Sequence, residues 1–84
     1  MPRIIVERNF EVPMTEAELQ SVEGRMAPCR ALYNVKWIRS FWSADRRRMI
    51  CEYEAADVAS VRNVQREANA TFDRVWAADI LGEQ

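Results

Sequence analysis

Histidine is absent from these 84 residues. That one absence removes the commonest general base and the commonest metal ligand. Cysteine is scarce: Cys29 and Cys51 stand 22 positions apart. Two thiols without His cannot close a zinc site, which needs about four ligands. Glycine occurs twice and proline three times, so no Gly-rich phosphate loop can be built, and no nucleophile elbow is present either. Neither sign of charge dominates, with 12 Lys+Arg against 13 Asp+Glu. A net charge of -1 gives no general pull toward nucleic acid or anionic lipid. No apolar run reaches the roughly 18 residues that a membrane span requires. Met1-Pro2-Arg3-Ile4 leads straight into an alternating pattern, so no signal peptide is expected. The expected compartment is therefore the reducing cytoplasm, with both thiols free.

What is present is apolar bulk. Hydrophobic residues make up 49 % and charged residues 30 % of the chain, which excludes disorder. Residues 1–84 are expected to form one domain. A chain of this length buries only about 60–65 % of its unfolded surface. Yet it carries three Trp, three Phe, two Tyr and four Met. Sharing that surface with a second copy is the simplest solution, so a homodimer is expected.

The apolar pattern sets the element order. Ile4-Ile5-Val6, closing at Glu7-Arg8-Asn9, predicts a first strand. Thr15 with Glu18 three positions on forms a capping box, and Leu19, Val22 and Met26 continue as one helical stripe. Gly24 and Pro28 predict a kink or break near position 28, with a short helical continuation through Leu32. Residues 35–42 read as a strand, with Val35, Trp37, Arg39 and Phe41 on one face and Lys36, Ile38, Ser40 and Trp42 on the other. Ser43-Ala44-Asp45-Arg46 is the expected hairpin turn. In the return strand Met49, Cys51 and Tyr53 alternate with Ile50, Glu52 and Glu54. Asp57 caps a second helix whose stripe is Val58, Val61, Val64 or Gln65, and Ala68, with Asn69 as its stop. A final strand falls within Phe72 to Leu81, with Trp76, Ala78 and Ile80 on one face. The order β-α-β-β-α-β predicts an α+β, ferredoxin-like fold, a four-stranded antiparallel sheet with both helices on one face. The other face is left bare, which fits a dimeric α+β barrel-type association.

Few residues carry candidate chemistry. Arg46-Arg47-Arg48 is best read as a solvated hairpin tip, since three residues beside Asp45 make a poor phosphate grip. The strands that hold stacking aromatics in RNA-binding domains of this fold read Arg3 to Arg8 and Arg48 to Tyr53 here, without the aromatic-Gly-aromatic pattern. Nucleic acid is therefore rejected. Arg39 lies between Trp37 and Phe41 on an apolar-looking face, where a buried guanidinium needs a carboxylate or a ligand anion. Glu7, Glu52 and Glu54 are at hand on neighbouring strands. Glu52 and Tyr53 are candidates for acid/base work if burial shifts them.

The segments Ile5-Val6-Glu7-Arg8, Trp37-Ile38-Arg39-Ser40-Phe41 and Cys51-Glu52-Tyr53-Glu54-Ala55 occur in that order, followed by Asp57-Val58-Ala59-Ser60-Val61-Arg62. Together they resemble a group of short bacterial proteins with a ferredoxin-like fold, a domain of unknown function with a branch described as nickel-binding or nickel-responsive. The resemblance implies the fold, a homodimer, and a cavity lined from the positions of Trp37, Cys51 and Tyr53. Members of the group carry a His in the second helix just after the Val-Arg pair. Val64 stands at about that place here, so a nickel site of that kind is not expected, nor is any cofactor.

The leading expectation is a protein that binds a small organic ligand between sheet and helices. Trp37 would supply a stacking face, Arg39 an anion contact and Tyr53 a hydroxyl, with Cys51 nearby and Glu7 and Glu52 as polar partners. On that reading aromatic carboxylates quench tryptophan fluorescence and Arg39→Ala abolishes the effect. The alternatives are a cofactor-independent isomerase or cyclase using Glu52 or Tyr53, a dimer with no pocket, and a metal-binding protein like its relatives.

Overall fold

The computed structural model describes residues 1–82. Its elements are β1 (Arg3–Asn9), α1 (Glu16–Tyr33), β2 (Lys36–Trp42), β3 (Arg48–Glu54), α2 (Val58–Glu67) and β4 (Arg74–Ala78). The strands form one antiparallel sheet in the order β2-β3-β1-β4. This is the ferredoxin-like arrangement that the hydropathy pattern predicts. The last strand stops at Ala78, so Ile80 lies beyond it.

Alternation in the two central strands decides what is inside. Ile4, Val6 and Arg8 of β1 pair across to Tyr53, Cys51 and Met49 of β3, and all six are buried on the helix side of the sheet. Met26 of α1 and Val61 and Val64 of α2 complete that core. The opposite face shows Ile5, Glu7, Ile50 and Glu52, none fully buried. With extents of 33 × 31 × 19 Å, the molecule is one sheet and one layer of helices, and the second sheet face stays open.

Both helices are capped as the sequence requires. Thr15 Oγ1 accepts from the Glu18 amide at 3.1 Å, and Asp57 Oδ1 accepts from the Ser60 amide at 2.8 Å. Asn34 closes α1 in the left-handed region at φ 55°, where Asn is tolerated better than most residues. Asn69 does the same just past α2 at φ 54°.

Two local expectations are corrected. First, α1 does not break at Pro28 but runs through it for 18 residues. Pro28 and Gly24, whose carbonyl loses its amide partner, both lie on the exposed side of the helix. Water can satisfy that carbonyl, while Met26, Cys29 and Tyr33 hold the other side against the core. Second, β2 does not alternate through its length. Trp37 pairs with Tyr53 and Arg39 with Glu52, so one extra residue sits at Ile38 as a β-bulge. Trp37 therefore faces the helices together with Ser40 and Trp42, whereas Lys36, Arg39 and Phe41 face the open side. The expected grouping of Trp37 with Arg39 is undone by this single insertion.

The β2–β3 turn is built around Asp45, as predicted. Asp45 Oδ1 accepts from Ser43 Oγ at 2.6 Å and from the Arg47 amide at 3.0 Å. Arg46 to Arg48 are all exposed, and the Arg46 guanidinium lies 4.0 Å above the Trp42 ring.

Candidate functional site

The bulge at Ile38 places an aromatic wall where regular alternation would not. Trp37 closes one end of a slot between α1 and the sheet. Leu19, Val22 and Met26 form its helix side, and Met49, Cys51 and Tyr53 its sheet side. The slot holds about 80 Å³. Past Arg8, Leu19, Val22 and Met49 it meets a larger hollow of about 310 Å³ that reaches Phe10, Met14 and the Asn69–Thr71 loop. An apolar slot with a few polar groups turned into it, opening on a more polar hollow, is a usual form of a small-molecule site.

Those polar groups are specific. Arg8 is only 6 % exposed. Its Nη1 donates to the Thr71 carbonyl at 2.7 Å and its Nη2 to Tyr53 Oη at 3.3 Å. Burial, more than any neighbour, pushes the Tyr53 hydroxyl up to about 12. Tyr53 is thus a neutral phenol at physiological pH and keeps its proton to donate. At the mouth Arg30 grips Glu23 through both nitrogens, with Nη2 at 2.9 Å from Oε2. The Arg30 guanidinium also stands 5.5 Å from the Trp37 ring centre. Trp37 Nε1 donates to Ser40 Oγ at 2.9 Å, which fixes the tilt of that wall.

The six candidate residues divide between the two faces of the sheet. Trp37, Cys51 and Tyr53 meet in the slot. Arg39, Glu52 and Glu7 stand on the open side. The Arg39 side chain is 60 % exposed and its Nε lies 3.1 Å from Glu52 Oε1, so it is neither buried nor near the slot. Glu52 also pairs with Arg3. Glu7 Oε2 accepts from Trp76 Nε1 at 2.8 Å. Glu52 and Tyr53, adjacent in sequence, point away from each other and form no acid/base pair. The guanidinium in the slot is Arg8, which a strand read only to its last apolar residue overlooks. The signal was there: Arg8 continues the Ile4-Val6 face at period two.

Metal donors are sparse. Among the described residues, no three of His, Cys, Asp and Glu come together. Cys51 is buried in the slot and Cys29 is half-buried on α1, both as free thiols. No helix among the described residues is long and apolar enough to cross a membrane.

Comparison with known proteins agrees with this architecture. The crystal structure of SCO4226 from Streptomyces coelicolor A3(2) superposes with a TM-score of 0.82 at 12 % identity, covering 95 % of this chain and 99 % of that one. At that identity the likeness speaks for the fold. No curated protein matches the sequence. The family described as Nickel responsive protein SCO4226-like matches residues 5–77, nearly the whole chain. Fold and sequence together therefore place this chain in the SCO4226-like family of nickel-responsive proteins.

Proposed function

We propose that this protein binds a small organic molecule in the slot between α1 and the sheet, and that it works as a homodimer. The observation that carries the first part is the meeting of Trp37, Cys51 and Tyr53 around one apolar cleft that opens into a larger hollow. Trp37 is the stacking surface, and Tyr53 is a hydroxyl fixed by Arg8. The homodimer is supported by the open sheet face, where Phe41 is 63 % and Trp76 43 % exposed. The two free thiols, Cys29 and Cys51, support placing the protein in a reducing compartment such as the cytoplasm.

The family description speaks of a response to nickel. The donors of this chain do not fit that ion. Imidazole is the ligand that suits nickel among side chains, and the sequence has none. Cys51 shares the slot lining with one carboxylate, Glu23, which Arg30 already holds, and among the described residues no third donor joins them. No step of the proposed function runs through a metal.

Tryptophan fluorescence tests the binding site. A panel of neutral and anionic bicyclic aromatics, each at about 1 mM, reaches even weak affinities of that order. The wild type is expected to show saturable quenching or a spectral shift with part of the panel. Val22→Phe, which fills the slot from the helix side, should abolish it. Arg39→Ala, on the opposite face, should leave it unchanged. A flat response across the panel, or a response insensitive to Val22→Phe, refutes the slot as the binding site.

A further inference from the structure

The buried guanidinium of Arg8 has no acidic partner. Arg3, Arg30 and Arg39 each pair with a glutamate. Among the described residues, no carboxylate reaches Arg8 within ion-pair distance, although it is the more deeply buried cation at 6 % exposure. Its acceptors are the Thr71 carbonyl at 2.7 Å, Tyr53 Oη at 3.3 Å and Met26 Sδ at 4.0 Å, all uncharged. A guanidinium offers five N–H donors in a planar fork. Here three neutral acceptors meet two of its nitrogens. Charges this deep are ordinarily paired, because the interior screens them poorly and water cannot solvate them.

The surroundings do not supply the missing charge. Arg30 and Glu23 at the slot mouth cancel each other. In the larger hollow Arg25 donates to the Ala68 carbonyl at 2.8 Å, and Glu18 on the same wall is exposed. Tyr53 holds its proton well above neutrality, so it is no counter-ion. The slot is thus an apolar cleft with one net positive charge at its floor, where slot and hollow meet.

We infer that the slot takes an amphiphilic monocarboxylate, its carboxylate against Arg8 and the Tyr53 hydroxyl and its apolar body between Met26, Leu19 and Trp37. This rests on the ligand-binding reading above and names its ligand class. One charge meets one charge, and the planar fork of Arg8 matches a carboxylate in a bidentate contact. Tyr53 Oη accepts from Arg8 and keeps its own proton, which can turn from the neighbouring Cys51 sulfur toward the same carboxylate. A phosphate dianion fits the slot less well, because the other cation lining it, Arg30, is already held by Glu23 and a second charge would go unpaired there. The apolar walls exclude a small hydrophilic acid, which would gain nothing from them.

The test uses the full chain and a matched pair of probes, 2-naphthoate and 2-naphthamide, which share a body and differ in charge. Titration is followed by tryptophan fluorescence and by calorimetry. The acid is expected to bind about 10-fold or more tighter than the amide, the gain of charge-assisted over neutral hydrogen bonds. Arg8→Met should bring the two affinities together, and Arg8→Lys should retain part of the preference. Arg8→Met should also melt no lower than the wild type without ligand, because it removes an unpaired buried charge. If Arg8→Met does not fold, the wild-type ratio still decides, together with a shift of the Arg8 Nε–Hε resonance on adding the acid but not the amide. Equal binding of acid and amide by the wild type overturns the carboxylate assignment and leaves the slot as a binding site. No binding of either probe overturns both.

Discussion

Opposing effects meet at the Tyr53 hydroxyl: burial first and the neighbouring Cys51 second favour the neutral phenol, Arg8 favours the phenolate, and burial prevails. A tyrosine in an unfolded chain loses its proton near pH 10, whereas in the folded protein Tyr53 holds on to about 12. The folded pKa is the higher one. The stability it contributes is complete below about pH 10 and is lost as pH climbs toward about 12. Tyr33 adds to the same trend, since its hydroxyl donates to Glu67 at 2.6 Å and is raised by that bond. Urea midpoints measured at about pH 9 and pH 11 should therefore fall for the wild type and fall less for Tyr53→Phe. An equal fall in both would show that Tyr53 is not shielded. The position of Tyr53 was legible in advance, because Met49, Cys51 and Tyr53 alternate without interruption. Arg39 misled for the opposite reason. Aromatic neighbours made its face look buried, but Trp37 and Phe41 lie on opposite sides of the sheet. Arg8 was hidden by its charge: a residue type that is rarely inside is read as the end of a strand even when the period carries it inward.

Propensity and packing disagree along α1, and packing prevails. An interior proline costs a helix roughly 3 kcal/mol in isolation, and that local cost is what the sequence displays. It does not display that the freed carbonyl of Gly24 faces water, nor that Met26, Cys29 and Tyr33 dock as one stripe. Pro28→Ala restores an amide donor to that carbonyl without touching the core. It is expected to stabilise the protein by about 1–3 kcal/mol, read as a higher thermal midpoint. A lower midpoint would mean that Pro28 acts through the unfolded chain instead. β2 fails differently. Aromatic residues fall on both of its faces, so no hydrophobic alternation fixes its register, and a one-residue insertion leaves no mark in the pattern. α2 was readable because a cap and a stripe agree, and β1 and β3 because each has a single buried face.

A sheet with helices on one side only has a second face to cover. On it Phe41, Ile50, Ile5 and Trp76 form an apolar band, with Lys36 opposite Glu54, Arg39 opposite Glu52 and Glu7 opposite Arg74 across the strands. Alternating charges around an apolar centre suit a second copy turned about a two-fold axis. Trp76→Glu places a charge at the β4 end of that band. Sedimentation is expected to report a dimer for the wild type and a monomer for the variant at the same concentration, with the helical signature of the fold retained. A wild type that sediments as a monomer at every concentration refutes the dimer outright. The bulge in β2 bears on such meetings in another way. β2 is an outer strand, and a straight outer strand is a template on which a stray chain can extend the sheet without limit. The extra residue at Ile38 breaks the even row of unpaired amides and carbonyls that such growth needs, and Lys36 and Arg39 stand on either side of it. One inserted residue that turns Trp37 inward thus also guards the rim of the sheet against fibrous aggregation.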